Sequence, residues 1–596
     1  MLRPRSIRRS TVMLASVALV FATVLATSEA RAADTQRPDG RVTVPTPEQA
    51  FPGPGPFILS GTATDDVGVT RADVAIRDRT SGRWRQPNGT WGPTIMWLRA
   101  TLAAPGALST TWRYSLSAPI GIYTVGFRAG DASQKFDASI PWVRFRIVPP
   151  PPQPPPPDRP NVVLILTDDQ RWDTLSIMPN VRSLLGDHGV TFSNGFAVDP
   201  LCCPSRAAIL KGAYPHSTRV YNNEGPFSPF NVFDDSSTVA TWLDDSGYQT
   251  ALIGKYFNAY DESRATYVPP GWDRWVAFAV SDLGGGSYTD YGLSVDGTLT
   301  HYGTAAADYS TDVLAGYADA FIRTADPTEP LFLDFTPYGP HEPAEAAPRH
   351  LNTFLNLAPY RPPNFNEADV SDKPAYIRAI PPLSASQITR EDRIRRKQFQ
   401  TLLAVDDAVK TIVDALTATG RLSNTMIVFT SDNGFVYGEH RWGITGAMNK
   451  QVPYEESIRL PYVVRYDPLT SSPRTDPHMV LNIDLAPTFA ALAGVSAPGA
   501  EGVSLLPLLA NPSTPWRTDF LIEHHVTNLP SYCAVRTATA MYARYATGEE
   551  ELYLLASDPY ELVNRASDPS QAALMASMRI RARQLCSPPP PGYVFP

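Results

Sequence analysis

An α/β catalytic body preceded by a separate all-β domain is the fold class this sequence predicts, and three observations carry it. The run PPPPQPPPPD (149–158) is a stiff, extended spacer that divides the chain. Before it, sets such as Ala72, Val74 and Ile76, or Tyr123, Val125 and Phe127, or Val143, Phe145 and Ile147, alternate with polar residues, the period of half-buried strands. After it, continuous β-branched runs alternate with helical patterns, as in a sheet buried on both faces.

The elements follow in order. MLRPRSIRRS is basic, the next 16 residues TVMLASVALVFATVLA are apolar, and Ala30-Arg31-Ala32 fits a small-x-small cleavage site, so residues 1–32 read as an export signal. The apolar run is shorter than the ~20 residues that span a bilayer, and no second long run follows, which argues against an integral membrane protein. Arg8-Arg9 resembles a twin-arginine signal. A secreted or periplasmic protein is expected.

In residues 38–148 the turn signals DDVG, TSG and PNG separate the alternating stretches, which predicts a small β-sandwich. SGTATDDVGV resembles the strand-and-turn pattern of bacterial immunoglobulin-like modules. Such a module either binds glycan or holds the catalytic part away from a surface, and the spacer role is favoured.

The catalytic domain is expected over 159–510. NVVLILT (161–167) and MIVFT (426–430) read as strands buried on both faces. Between them, Thr389 with Asp392 reads as a capping box, and Leu402, Val405, Val409, Ile412, Val413 and Leu416 share one helix face that ends at Gly420. ELYLLASDPYELVNRASDP followed by a helical stretch predicts a smaller α+β subdomain within 511–596.

A chain of 596 residues, 43% hydrophobic, can bury a sizeable core. Its net charge of −8 argues against a general nucleic-acid binder. A small anionic substrate remains compatible, because a few cations converging in one pocket outweigh a screened global field. Of the four cysteines, Cys533 and Cys586 suit a disulfide pinning the C-terminal tail in an oxidising compartment. Cys202 and Cys203 would then have only each other, and a bridge between neighbours is strained.

The first buried strand ends in Asp168-Asp169 and the second runs into Asp432-Asn433. Ligands bind at the carboxyl ends of strands in open α/β sheets, so these two ends are expected to face one crevice. Three carboxylates and an amide oxygen form a hard donor set suited to Ca²⁺, with Mg²⁺ as the alternative, and poorly suited to Zn²⁺. Cys202 stands at a helix start, with Pro204 read at the first helical position and Arg206 in the first turn, where the helix dipole stabilises an oxyanion.

Pro200-Leu201-Cys202-Cys203-Pro204-Ser205-Arg206, followed by Ile209-Leu210 and Gly212, resembles the first signature of the sulfatase family. Gly247-Tyr248-Gln249-Thr250 through Ile253-Gly254-Lys255-Tyr256 resembles the second. Tyr437-Gly438-Glu439-His440 and Lys450 through Tyr454-Glu455 are similar to the third conserved block. The CCPSR form, YPH (214–216), YNNEG (221–225), GKYFNAY (254–260), YVPPGW (267–272) and Pro340-His341 are most similar to the N-acetylglucosamine-6-sulfatases. Two positions depart from the wider pattern: Phe257 stands where many arylsulfatases carry histidine, and Lys211 where threonine is usual.

The resemblance implies an alkaline-phosphatase-like sulfatase fold with a large, mostly parallel sheet. It also implies that Cys202 is converted to formylglycine by a formylglycine-generating enzyme, with Cys203 a bystander. Hydrated, that aldehyde is a geminal diol: one hydroxyl attacks sulfur and displaces the alcohol, and the second then expels sulfate. The implied metal set is Asp168, Asp169, Cys202, Asp432 and Asn433. Arg206 would hold the diol, Lys255 and Lys450 would neutralise sulfate oxygens, and His341 would protonate the leaving oxygen or bind the sulfate. His440 would assist the diol or support its loop, and His216, Asn222 and Asn223 are candidate substrate contacts. His524-His525 reads as a strand end rather than a ligand pair. The expected substrate is a sulfated sugar. The competing expectations are a phosphonate or phosphate monoester hydrolase of the same superfamily, and a non-catalytic adhesin for sulfated glycan.

Overall fold

The computed structural model describes residues 34–52, 56–148, 159–280, 286–443, 449–470, 472–526 and 529–595. The export signal at 1–32 and the spacer at 149–158 lie outside them. The chain divides into two compact units whose boundary falls within the proline-rich stretch.

The first unit is two sheets around one core. A four-stranded sheet contains Phe57–Thr64 and Ser109–Leu116, and a seven-stranded sheet contains Val69–Asp78, Gly121–Asp131 and Trp142–Val148. Leu59 and Trp112 of the first meet Val74, Ile76, Val125, Phe127 and Phe145 of the second in one buried cluster. The rings of Trp112 and Phe127 stack at 4.3 Å. The alternation read in the sequence is the inward face of these strands. One pair, Gln49–Pro52 with Trp142–Val148, is parallel.

The second unit is built on an eleven-stranded sheet. Asn161–Thr167 lies at its centre, parallel to Leu331–Thr336 on one side and to Thr425–Ser431 on the other. Gln249–Gly254 continues the parallel set beyond Leu331–Thr336. Val162, Leu164 and Leu166 enter one core cluster and Val163 and Ile165 another. Burial on both faces is therefore why this strand reads as an unbroken apolar run.

The expectation of a mostly parallel sheet needs correction, because the sheet is mixed. Its edge strands Tyr291–Val295 and Thr298–Tyr302 form an antiparallel hairpin, and Tyr462–Arg465 runs antiparallel to Thr425–Ser431. Asp296 and Gly297 both take positive φ (49° and 82°), as a two-residue hairpin turn requires, which makes the edge antiparallel.

The long helix is Ala385–Ala418, and it buries Leu402, Val405, Val409, Ile412, Val413 and Leu416 as read. Its start differs from the expectation. The capping box is Ser384 with Gln387, more than one turn before Thr389, whose hydroxyl instead donates to the carbonyl of Ala385 at 2.8 Å. Ser-x-x-Gln satisfies the same orphan amides as Thr-x-x-Asp, so the earlier pair nucleates the helix.

The C-terminal part is a four-stranded antiparallel sheet (Asp519–Val526, Leu529–Thr537, Ala540–Tyr545, Glu550–Leu554) with helix Ala572–Leu585. Phe520, Ile522 and Tyr532 share a core cluster with Phe196, Val198, Ile458 and Ala208, the last from the helix that carries Cys202. Cys533 and Cys586 are joined by a disulfide. Among the described residues, no helix is long and apolar enough to cross a membrane.

Candidate active site

Two strand ends and one helix start make the site. Thr167 and Ser431 are register partners, so Asp168-Asp169 and Asp432-Asn433 leave adjacent strands side by side. The backbone amide of Asp169 donates to Asp432 Oδ1 at 3.2 Å, and Asn433 Nδ2 donates to Asp169 Oδ1 at 2.7 Å. Asp169 takes φ +66°, a left-handed conformation that costs a non-glycine residue on the order of 1 kcal/mol. The turn it makes brings both carboxylates of the pair to one point.

Helix Cys202–Lys211 begins with Cys202 itself as its first residue, after Leu201 in extended conformation. Pro204 is therefore its third residue, not its first as read, which costs nothing because that amide has no intrahelical partner either. The Cys203 amide donates to Asn223 Oδ1 at 3.0 Å, a cap supplied from another segment.

These groups are buried, except His341, which is partly exposed. Cys202 Sγ lies 3.6 Å from Asp168 Oδ1 and accepts from Lys450 Nζ at 2.9 Å. Lys450 Nζ also reaches Asp169 Oδ1 at 2.5 Å, and Lys255 Nζ reaches Asp168 Oδ2 at 2.6 Å. Arg206 donates from Nε to Asp432 Oδ2 and from Nη1 to the carbonyl of Lys255, both at 2.8 Å. His341 presents Nε2 3.7 Å from Asp169 Oδ2, while its Nδ1 donates to the carbonyl of Glu342 at 2.6 Å.

The electrostatics follow from burial and pairing. Burial alone would raise the carboxyl of Asp168, but Lys255, His341, Arg206 and Lys450 together hold it far below the usual carboxylate range. Asp432 is pushed up to about 6, first by burial and then by the charge of Asp168. Burial pushes the Cys202 thiol well above its ordinary value, so unmodified Cys202 is a neutral thiol at pH 7.

The oxygen donors Asp168, Asp169 and Asn433 fit a hard divalent cation, whereas the unconverted Cys202 thiol and the His341 imidazole are softer neighbours. Asp168, Asp169, Cys202 and His341 each offer an atom within 4.8 Å of the others. Asn433 Oδ1 is buried with no hydrogen-bond partner, an acceptor left open while Nδ2 of the same amide donates to Asp169. Asp432 is differently engaged, since its oxygens serve Arg206 and the amides of Asp169 and Asn433. The structure thus draws Asp168, Asp169, Cys202, Arg206, Lys255, His341, Asp432, Asn433 and Lys450 together.

Other sequence candidates lie elsewhere or serve otherwise. His440 bonds Glu367 through Nδ1 at 2.6 Å, contacts Asn364 through Nε2, and packs on Tyr454 at 4.2 Å. These are the contacts of a loop support. His216 has both ring nitrogens engaged, by Glu523 at 2.8 Å and Glu501 at 3.4 Å. Asn223 caps the helix, and Asn222 Oδ1 accepts from the Asn223 amide. His524 and His525 do belong to a strand, Asp519–Val526.

Sequence reasoning missed two buried acids next to the site. Asp199 pairs with His524 Nδ1 at 3.0 Å, and burial pushes its carboxyl up to about 6. A polar residue three positions before Cys202, in an otherwise apolar approach, was its only signal. Asp334, in the buried strand Leu331–Thr336, is raised to about 7 by burial, opposed only by Arg206.

That residue yields a pH prediction. A carboxyl raised in the folded state holds a proton that the unfolded chain has already lost, so stability falls by on the order of 1.4 kcal/mol per pH unit between roughly pH 4 and pH 7. Asp334→Asn is expected to match the wild type in thermal melts near pH 4 and to melt higher at pH 7.5. Equal melting temperatures at both pH values would contradict it.

Comparison with known proteins bears on this geometry. The sulfatase family profile matches residues 160–495, and the C-terminal profile of N-sulphoglucosamine sulphohydrolase matches residues 438–587. Human N-acetylglucosamine-6-sulfatase is 35% identical over 495 residues, covering 73% of this chain and 88% of that protein. The N-acetylglucosamine-6-O-sulfatase of Bacteroides thetaiotaomicron is 28% identical, covering 68% and 82%. A protein solved in complex with its substrate D-glucosamine-2-N,6-O-disulfate is 25% identical with a TM-score of 0.61, covering 72% of this chain and 97% of that one. The phosphonate monoester hydrolase of Agrobacterium radiobacter shares the fold at 22% identity and a TM-score of 0.58, covering 72% and 96%. With the strand-end acids, the helix-borne cysteine and the two lysines in one buried site, these matches mean that the chain belongs to the sulfatase family and is a sulfuric ester hydrolase.

Proposed function

We propose that the protein removes the 6-sulfate of glucosamine-type sugars, working outside the cytoplasm after export through residues 1–32, with Cys202 converted to formylglycine by a generating enzyme. The observation that carries this reading is the pairing of Lys450 Nζ with both Cys202 Sγ (2.9 Å) and Asp169 Oδ1 (2.5 Å), which puts the reacting side chain, a cation and an acid within one reach. The substrate class rests on the relatives named above.

Asp168, Asp169 and Asn433 would hold Ca²⁺, or Mg²⁺ in its place, with the converted Cys202 beside them. Such an ion supplies Lewis-acid polarisation and a lowered pKa for a bound hydroxyl. The chain's own groups do the rest. Lys255 and Lys450 meet negative charge on the sulfate as the ester bond breaks. His341 keeps its Nδ1 proton on the Glu342 carbonyl, so Nε2 is the nitrogen left to face the leaving oxygen, and it would pass a proton there from the imidazolium form of the ring. Arg206 ties the Asp432 carboxylate to the backbone at Lys255 and so positions both.

Two experiments test the reading. The enzyme is expected to turn over nitrophenyl sulfate and glucosamine 6-sulfate far faster than nitrophenyl phosphonate, and the reverse order would establish the phosphonate hydrolase instead. Ca²⁺ is expected to raise the melting temperature, since saturation at 1,000 times Kd stabilises by about 4 kcal/mol. Asn433→Ala should lose most of that gain, and an equal rise in both proteins would remove Asn433 from the ion site.

A further inference from the structure

The outer face of the seven-stranded sheet in the N-terminal unit does not look like an inert spacer. Inward residues of its central strands fill the core, and the register aligns the outward ones in rows: Ala75, Gly126 and Trp142 in one, Arg77, Thr124 and Arg144 in the next. Trp142 is 43% exposed. Its ring lies over residue 126, because a Cβ added there would come within 2.5–2.6 Å of three ring atoms. Only glycine permits that approach.

The ring is one of a set. Trp84 packs against it edge-on at 5.7 Å and Trp97 at 6.2 Å. Guanidinium groups cover these two neighbours, Arg77 over Trp84 at 5.4 Å and Arg128 over Trp97 at 4.3 Å.

The charge on this face is opposite to that of the whole chain, which carries −8. Arg71, Arg99 and Arg128 converge on the single carboxylate of Asp73 at 2.8, 3.8 and 3.1 Å. Arg144 and Arg146 share Glu48 at 3.4 and 3.8 Å, and the side chains of both are about half exposed. Five guanidiniums thus face two carboxylates, which leaves a surplus of positive charge around exposed Trp142 and its half-buried neighbours.

We propose that this face binds a sulfated polysaccharide, with the C–H face of a sugar ring stacked on Trp142 and sulfate groups held by Arg77, Arg144 and Arg146. Charge complementarity selects the occupant. Arginine offers paired, planar donors to an oxyanion, and a flat, partly exposed indole suits a pyranose ring. A neutral glycan would use the tryptophan and leave the arginine surplus unanswered. An unstructured polyanion would use the arginines and leave Trp142 idle. The proposal is independent of the reaction at Cys202, because it concerns attachment to polymer and not cleavage.

The test uses the full-length protein in affinity electrophoresis through gels containing heparin, fully desulfated heparin, polyglutamate or duplex DNA. Trp142→Ala and the double variant Arg144→Ala/Arg146→Ala are each expected to weaken heparin retention about tenfold, the equivalent of about 1.4 kcal/mol. Desulfated heparin should retain none of the three proteins. Both variants should hydrolyse nitrophenyl sulfate at the wild-type rate, which separates this surface from the catalytic site. Unchanged heparin retention in both variants overturns the proposal. So does retention by DNA or polyglutamate that equals heparin and ignores Trp142→Ala, since charge alone would then explain binding.

Discussion

Replacing Cys202 with alanine is expected to lower hydrolysis of nitrophenyl sulfate by about 10⁴-fold or more, the scale seen when a covalent catalyst is deleted and only binding and electrostatics remain. The fold should survive. Cys202 Sγ accepts one hydrogen bond from Lys450 and lies 3.6 Å from Asp168, so the truncation removes a weak acceptor and a small buried volume, costing on the order of 1 kcal/mol. A serine that stays an alcohol should be nearly as inactive, since its single hydroxyl leaves no second one to expel sulfate from the sulfated intermediate. The unmodified thiol offers no rescue either, because burial holds it neutral. Activity of any preparation should therefore scale with the fraction of converted residue 202 found by peptide mass spectrometry. Cys203 is the internal control. Its sulfur faces Asn258 at 3.4 Å and burial pushes the thiol up to about 12. Cys203→Ala should keep most of its activity, and wild-type turnover by Cys202→Ala would end the formylglycine reading.

Much of this site is legible in the chain, and the reason is local. A strand buried on both faces shows as an unbroken apolar run, so Asn161–Thr167 and Thr425–Ser431 announce themselves, and the polar residues just past each end stand out as Asp168-Asp169 and Asp432-Asn433. What escapes is pairing set by the folded sheet. Nothing near Asp432 signals that Arg206, 226 residues away, takes its Oδ2, or that Asp199 and His524, 325 residues apart, form a buried pair. The helix start is ambiguous for a subtler reason: Ser384 with Gln387 and Thr389 with Asp392 are equivalent capping patterns, and the folded helix uses the earlier one. The same holds for the outer face of the sandwich. Alternation identifies which residues point outward, but only strand register shows that Trp142 lies across Gly126 beside rows of arginine.

Lys255→Ala should produce two separable losses, and separating them shows what the lysine does. Lys255 and Asp168 form a fully buried pair at 2.6 Å, with Arg206 the next cation from Asp168 at 3.7 Å. Burial alone would push the Lys255 ammonium down, and Asp168 more than reverses that, holding the group above its ordinary value. Deleting it leaves a buried carboxylate short of its main partner, which costs about 3–5 kcal/mol of stability. It also removes a cation aimed at the sulfate, for a fall in kcat of about 10²–10³-fold. The double variant Lys255→Ala/Asp168→Asn removes the stranded charge along with the lysine. Its melting temperature should recover most of the loss while kcat stays at least as low as in Lys255→Ala. If the lysine served only to neutralise Asp168, a single variant assayed with saturating Ca²⁺ would regain wild-type kcat, because a divalent ion at Asp168 would do the same work. Persistence of the kcat defect under those conditions, with stability restored, assigns Lys255 to the sulfate and not to the scaffold.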